Sequence, residues 1–163
     1  IGATGRETRI DAKRLGGRAV VGAGTVLTVE QVAAVQDAGG TVVIAPNADT
    51  SVIAEAAGRG LVSLPGIATP TEAFAALAAG AAALKLFPAE AASPAVLKAM
   101  RAVLPAGTRV LPVGGIAPDT MAPWWAAGAA GFGLGSALYS VGLDAAAVRS
   151  RADAFIAALA SRA

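Results

Sequence analysis

Short apolar runs that alternate with alanine-rich stretches constrain this chain of 163 residues more than any other feature. Each run is rich in Val, Leu and Ile, ends at a Gly or Pro, and precedes apolar positions at helical spacing. Because strands that are apolar on both faces are typical of parallel sheets covered by helices, the pattern predicts an α/β fold of βα units. The predicted strands are Arg18–Gly22, Thr41–Ala45, Leu61–Leu64, Ala83–Phe87, Arg109–Val113 and Ala130–Leu134.

Capping residues mark where several of the intervening helices begin. Thr28 and Thr69 are followed three residues later by Gln31 and Glu72, which fits a capping box, and Ser93 precedes a proline. The predicted helices are Val29–Ala38, Ser51–Ala57, Pro70–Ala79, Pro94–Leu104, Met121–Ala127 and Ala145–Ala160. About six βα units result, whereas a closed (β/α) barrel has eight. An open six-stranded α/β sheet is the alternative.

The first seventeen residues do not follow the repeat. Ile1–Gly17 is rich in Gly and Arg, shows no apolar period and begins with Ile. We therefore expect an irregular N-terminal segment over residues 1–17, followed by a partial barrel domain over residues 18–163. We also expect that an N-terminal portion of the parent protein is missing from this chain or replaced.

Composition excludes several functions. The chain has no cysteine and no histidine, so it lacks thiolate and imidazole ligands, a cysteine nucleophile and the commonest general base. A net charge of +2 from scattered cations does not favour a nucleic-acid partner.

No signal peptide is recognisable, and a cytoplasmic protein is the default. The uncharged segment Met121–Leu143 is long enough to span a membrane, but its five glycines and Pro123 favour a strand and turns within a folded domain.

Lys85 is the residue most suggestive of chemistry. It lies in a predicted strand and is the only charged residue between Glu72 and Glu90. Burial would lower the pKa of its ammonium, and a neutral lysine amine can form a Schiff base with a carbonyl substrate. The alternative is a lysine that extends from the strand end to solvent or pairs with a carboxylate, and Glu90 lies on the following loop.

Two glycine-containing turns follow consecutive predicted strands. Gly114 and Gly115 come after the strand ending at Val113, and Gly135 and Ser136 come after the next strand. In barrels, loops at these places commonly bind phosphate through backbone N–H groups. The alternative is that both are ordinary turns.

Six motifs in order resemble the class I aldolases of 2-keto-3-deoxy-6-phosphosugar acids. They are Val21-Gly-Ala-Gly-Thr-Val26, Ala45-Pro-Asn47, Leu64-Pro-Gly66, Leu84-Lys-Leu-Phe-Pro-Ala89, Pro112-Val-Gly-Gly115 and Gly133-Leu-Gly-Ser136. The resemblance implies a trimeric (β/α)8 TIM barrel, without metal or organic cofactor, that cleaves a phosphorylated keto acid to pyruvate and glyceraldehyde 3-phosphate. It implies that Lys85 is the Schiff-base lysine and that Thr25 holds the pyruvate carboxylate. Further substrate contacts would come from Pro46, Phe87, Val113, Gly114, Gly115, Gly135 and Ser136.

Val113, together with Pro123-Trp-Trp125 and Leu138-Tyr139, resembles the branch that acts on 2-dehydro-3-deoxy-6-phosphogalactonate. The gluconate branch, which usually carries threonine before the double glycine, is the alternative. Family members begin with two further βα units that supply a general acid/base glutamate and a substrate-binding arginine, and this chain matches neither. Two other hypotheses are a phosphate-binding barrel enzyme that forms no imine, such as a phosphosugar isomerase or a thiamine-phosphate-synthase-like transferase, and an inactive remnant.

Overall fold

The computed structural model describes residues 13–15 and 17–160. Its elements alternate between strand and helix along most of the chain. The strands are β1 (Gly22–Gly24), β2 (Val42–Ile44), β3 (Val62–Leu64), β4 (Gly66–Ile67), β5 (Leu84–Leu86) and β6 (Val110–Pro112). The helices are α1 (Val29–Asp37), α2 (Thr50–Gly58), α3 (Pro70–Ala78), α4 (Pro94–Val103), α5 (Met121–Ala126) and α6 (Ala145–Ala160). Short 3₁₀ helices cover Ala89–Ala91 and Pro118–Thr120.

The chain divides into two compact units, Ile1–Leu84 and Lys85–Ala163. In the first unit, β1, β2 and β3 form a parallel sheet in that order. The register aligns Ala23, Val43 and Ser63, all of which are buried. Ala23 and Val43 pack with apolar side chains of α1 and α2. The predicted parallel α/β arrangement is confirmed for this sheet.

In the second unit, β5 and β6 are neighbouring strands, and the Val113 N–H donates to the Leu86 carbonyl at 3.0 Å. Beyond β6, Val113 forms an isolated parallel bridge with Gly133. Helix α4 packs against α5, and α6 packs against the 3₁₀ helix Pro118–Thr120.

The predicted helices match the observed ones to within one residue at each end, because their caps form locally. Thr69 and Glu72 make a complete capping box, and Ser93 accepts the Val96 N–H. At Thr28 only half of the predicted box forms. Thr28 accepts the Gln31 N–H, but the Gln31 side chain accepts the Leu27 N–H instead of that of Thr28.

Two strand predictions differ from the structure. The first strand begins at Gly22 and not at Arg18, and Val20 is 76% exposed. Over the predicted strand Ala130–Leu134, the structure contains only the bridge at Gly133. Short β4 was not predicted. At Gly66 in this strand a Cβ atom would overlap the Pro46 carbonyl oxygen. Most of the segment Ile1–Gly17, predicted to be irregular, lies outside the described residues, but residues 13–15 within it are helical.

In the described part of the chain, no helix is both long enough and apolar enough to cross a membrane.

Candidate active site

Strand β5 places Lys85 between two fully buried leucines. Leu84 and Leu86 are 0% and 1% exposed, whereas Lys85 is half-buried. Since side chains alternate along a strand, Lys85 and Phe87 share the opposite face. The Lys85 Nζ atom lies 3.9 Å from the centre of the Phe87 ring. The amine is therefore held against an aromatic surface on one side while remaining partly accessible.

The surroundings of Lys85 favour a neutral amine. Partial burial disfavours the charged ammonium and lowers the pKa of Lys85 below its ordinary value of 10.5. Among the residues that the structure describes, Lys85 forms no ion pair with a carboxylate that would oppose this effect. The Phe87 ring does favour the protonated form, through its electron-rich face. A lysine in this setting has more of the nucleophilic free amine at a given pH than an exposed one.

The Gly114–Gly115 turn follows β6, next to the end of β5. Both glycines have positive φ angles, +113° and +62°. The Ala89 N–H donates to the Val113 carbonyl at 2.9 Å, so the 3₁₀ helix after β5 is tied to the end of β6. This contact brings Glu90 over both glycines, and a Cβ atom on Gly115 would lie 2.7 Å from Glu90 Cγ. Both glycines thus adopt a backbone conformation that favours glycine, and the Glu90 side chain would have to move to admit a Cβ atom at either one.

The Gly135–Ser136 turn follows the bridge between Val113 and Gly133. The Gly135 carbonyl accepts the N–H groups of Leu138 and Tyr139, each at 3.0 Å. The Ser136 carbonyl accepts a hydrogen bond from Arg151 Nη1 at 3.1 Å. Because Val113 and Gly133 are paired, the two predicted phosphate-binding turns leave neighbouring backbone segments.

Thr25 and Pro46 belong to the first unit and follow β1 and β2, which are adjacent. Thr25 is the only non-glycine residue with positive φ in the described part of the chain, at +60°. A β-branched residue in this conformation is strained, and such strain is concentrated at functional sites. Thr25 is exposed, so its hydroxyl is accessible to a ligand.

The structure thus brings Lys85, Phe87, Val113 and the two turns together on successive backbone segments of the second unit. Sequence reasoning missed the contact of Glu90 with the glycines and the hydrogen bond from Arg151. Neither had a usable signal, since both join residues distant in sequence. Within residues 13–15 and 17–160, no three Asp or Glu side chains are grouped so as to hold a metal ion.

The sequence profile of one protein family covers most of the chain. The profile described as "KDPG and KHG aldolase" matches residues 8–151. The chain belongs to this aldolase family. The motifs that carried the resemblance, from Val21 to Ser136, all fall within the matched residues.

Individual members of the KDPG and KHG aldolase family are also similar. The 2-dehydro-3-deoxy-6-phosphogalactonate aldolase of Escherichia coli (strain K12) is 48% identical over 143 residues, which cover 88% of this chain and 70% of that protein. A protein of Rhizobium meliloti (strain 1021) named "Probable 2-dehydro-3-deoxy-6-phosphogalactonate aldolase" is 48% identical over 139 residues, 85% of this chain and 66% of the relative. The chain therefore spans about two thirds of the length of these curated relatives.

A solved structure described as "Native KDPGal structure" is similar as well. It superposes with a TM-score of 0.94 at 44% sequence identity, and the match covers 96% of this chain and 76% of that one.

Proposed function

We propose that this chain is a class I aldolase that cleaves 2-dehydro-3-deoxy-6-phosphogalactonate to pyruvate and glyceraldehyde 3-phosphate. The observation that carries the proposal is Lys85, a half-buried amine with a lowered pKa, on the strand beside the Gly114–Gly115 turn. Membership of the aldolase family and two relatives named for this substrate support the same reaction.

The chemistry begins when the neutral Lys85 Nζ adds to the C2 ketone. Loss of water from the carbinolamine leaves an iminium, which withdraws electrons from the C3–C4 bond. As that bond breaks, its electron pair moves to form an enamine, the C4 hydroxyl gives up its proton to water, and glyceraldehyde 3-phosphate leaves. Protonation of the enamine at C3 and hydrolysis of the iminium then release pyruvate and regenerate the amine.

Substrate binding is assigned to the remaining predicted residues. Thr25 would donate its hydroxyl to the pyruvate carboxylate, and Pro46, Phe87 and Val113 would contact the carbon chain. The phosphate would accept hydrogen bonds from the backbone N–H groups of the two turns and from the Ser136 hydroxyl. The residues of these turns are Gly114, Gly115, Gly135 and Ser136. Glu90 occupies the side of Gly114 and Gly115 where Cβ atoms would lie, so an anion would have to reach their backbone N–H groups from another side.

We favour the galactonate substrate over its gluconate epimer because both relatives at 48% identity carry the galactonate name. Comparing kcat/KM for the two phosphorylated acids tests the preference, which is wrong if the gluconate epimer is cleaved with the higher value.

Trapping of the imine tests the proposed function directly. Pyruvate with sodium borohydride should add a stable mass to the wild-type chain and to Lys98→Ala, an exposed control, but not to Lys85→Ala. This readout needs only the amine, whereas turnover also needs general acid–base help, which is worth about 10²–10⁴ in rate. An adduct that persists in Lys85→Ala, or no adduct on folded wild-type protein, would refute the proposal.

A homotrimer of (β/α)8 barrels is the assembly we propose, on the family resemblance. Sedimentation equilibrium tests the trimer, and a monomer at all concentrations would exclude it.

A further inference from the structure

Arg151 is an arginine of α6 that contacts one of the proposed phosphate-binding turns. Its Nη1 atom donates to the Ser136 carbonyl at 3.1 Å, and the side chain is half-buried. Arg149, two residues earlier, is instead 84% exposed at its side chain and lies 3.9 Å from the Asp153 carboxylate. Among the residues that the structure describes, Arg151 has no carboxylate partner. Its positive charge is therefore not neutralised by a neighbouring side chain.

The hydrogen bond fixes the conformation of the turn. The Gly135 carbonyl is occupied by the N–H groups of Leu138 and Tyr139, and the Ser136 carbonyl is occupied by Arg151. In a trans peptide the C=O and N–H groups point in opposite directions. The Ala137 N–H is therefore directed away from the guanidinium. Gly135, Ser136 and Ala137 are all exposed, so the turn is accessible to a ligand.

We propose that Arg151 is a positioning residue of the phosphate site: it orients the Ser136–Ala137 peptide and adds an uncompensated positive charge beside the turn. The inference rests on the proposed function, because it concerns the phosphate of that substrate. A guanidinium suits this role, since it stays protonated and its hydrogen bond to a carbonyl has fixed geometry. The side chain acts through the turn and makes no contact with the reacting atoms.

The test compares Arg151→Met, which keeps the apolar stem, with Arg151→Lys, which keeps the charge, and with Arg149→Met as the matched control on the same helix. Four quantities are measured in each: the borohydride-trapped pyruvate adduct, KM and kcat for the phosphorylated substrate, and the rise in Tm on adding inorganic phosphate. Pyruvate has no phosphate, so the adduct reports on the imine-forming part of the site without a contribution from phosphate binding.

We expect Arg151→Met to raise KM by about tenfold, with kcat changed by less than about twofold and the adduct unchanged. The stabilisation of Arg151→Met by inorganic phosphate should be largely lost. Arg151→Lys should show a smaller rise in KM and a smaller loss of phosphate stabilisation than Arg151→Met. Arg149→Met should match wild type. If Arg151→Met does not fold, the test is the comparison of Arg151→Lys with Arg149→Met. Arg151→Lys should then be less stabilised by phosphate than Arg149→Met.

Equal phosphate stabilisation in Arg151→Met and Arg149→Met would overturn the inference, as would no phosphate stabilisation of the wild type. A loss of pyruvate adduct in parallel with phosphate binding would show a general structural role, and would also overturn it. A wild-type chain that is stabilised by phosphate but forms no adduct would instead refute the aldolase proposal. The comparison of phosphate stabilisation between Arg151→Met and Arg149→Met would still test the role of Arg151.

Discussion

The carboxylate of Glu90 lies against Gly114, in the space that a Cβ atom on this glycine would occupy. The contact joins the 3₁₀ helix that follows β5 to the turn that follows β6. It places a negative charge on one side of a turn proposed to bind phosphate, so that side of the turn disfavours an anion.

Gly114→Ala should destabilise the protein by about 1–3 kcal/mol, because φ is +113° and the new methyl group must displace Glu90. Urea unfolding measures the loss. In the double variant with Glu90→Ala, only the steric part should be recovered, since the backbone strain remains. Full recovery would show that strain at Gly114 is unimportant.

Gly133→Ala should also destabilise, for a different reason. Its φ is not positive, but a Cβ atom would overlap the Val113 side chain and lie 2.9 Å from Cγ1. Overpacking of this kind typically costs about 1–3 kcal/mol. Val113→Ala removes both Cγ atoms, so the double variant should be more stable than Gly133→Ala alone. Strictly additive losses in a double-mutant cycle would contradict the contact.

Lys85→Met should increase stability at neutral pH while abolishing the pyruvate adduct. The pKa of Lys85 is lowered in the folded chain, so below that pKa the native state bears the cost of a partly buried charge. Between the folded pKa and 10.5, the unfolded chain holds a proton that the folded chain has released, and wild-type stability rises with pH. The advantage of Lys85→Met should therefore shrink as pH increases through this window. Urea unfolding at several pH values measures it, with Lys98→Met as the exposed control, and an advantage that does not depend on pH would be contrary to expectation.

Phe87→Leu should shift imine formation to lower pH. The ring favours the protonated amine by about 0.5–1 kcal/mol, and leucine keeps the apolar bulk without the electron-rich face. The pKa of Lys85 should then fall further below its ordinary value, because the protonated amine loses the ring that favours it. The initial rate of adduct formation against pH reports the shift. Phe87→Tyr retains a ring and should leave the profile nearly unchanged; equal shifts in both variants would argue against the aromatic effect.

Thr25→Gly should stabilise the chain by about 0.5–1 kcal/mol, because φ at this position is +60° and glycine adopts it without strain. Loss of the hydroxyl should at the same time weaken pyruvate binding, seen as a higher pyruvate concentration for half-maximal adduct. Thr25→Ser keeps the hydroxyl and should bind pyruvate nearly as wild type does. A stabilised Thr25→Gly variant with unchanged pyruvate dependence would exclude the carboxylate contact.

The sequence by itself determined the helices, the parallel βα order and the position of Lys85 within a strand. Caps such as Thr69 with Glu72 and the apolar spacing of the helices act over a few residues, so they can be read without the fold. The start of β1 and the isolated pairing at Gly133 could not be predicted, because strand limits depend on partners far away in sequence.

Only the tertiary structure decided how the side chains of the site meet. The ring of Phe87 on the Lys85 amine, Glu90 over two glycines and Arg151 on the Ser136 carbonyl are set by the packing of neighbouring elements. Composition can place a lysine in a strand, but the pKa of that lysine depends on how much water the folded chain leaves around it.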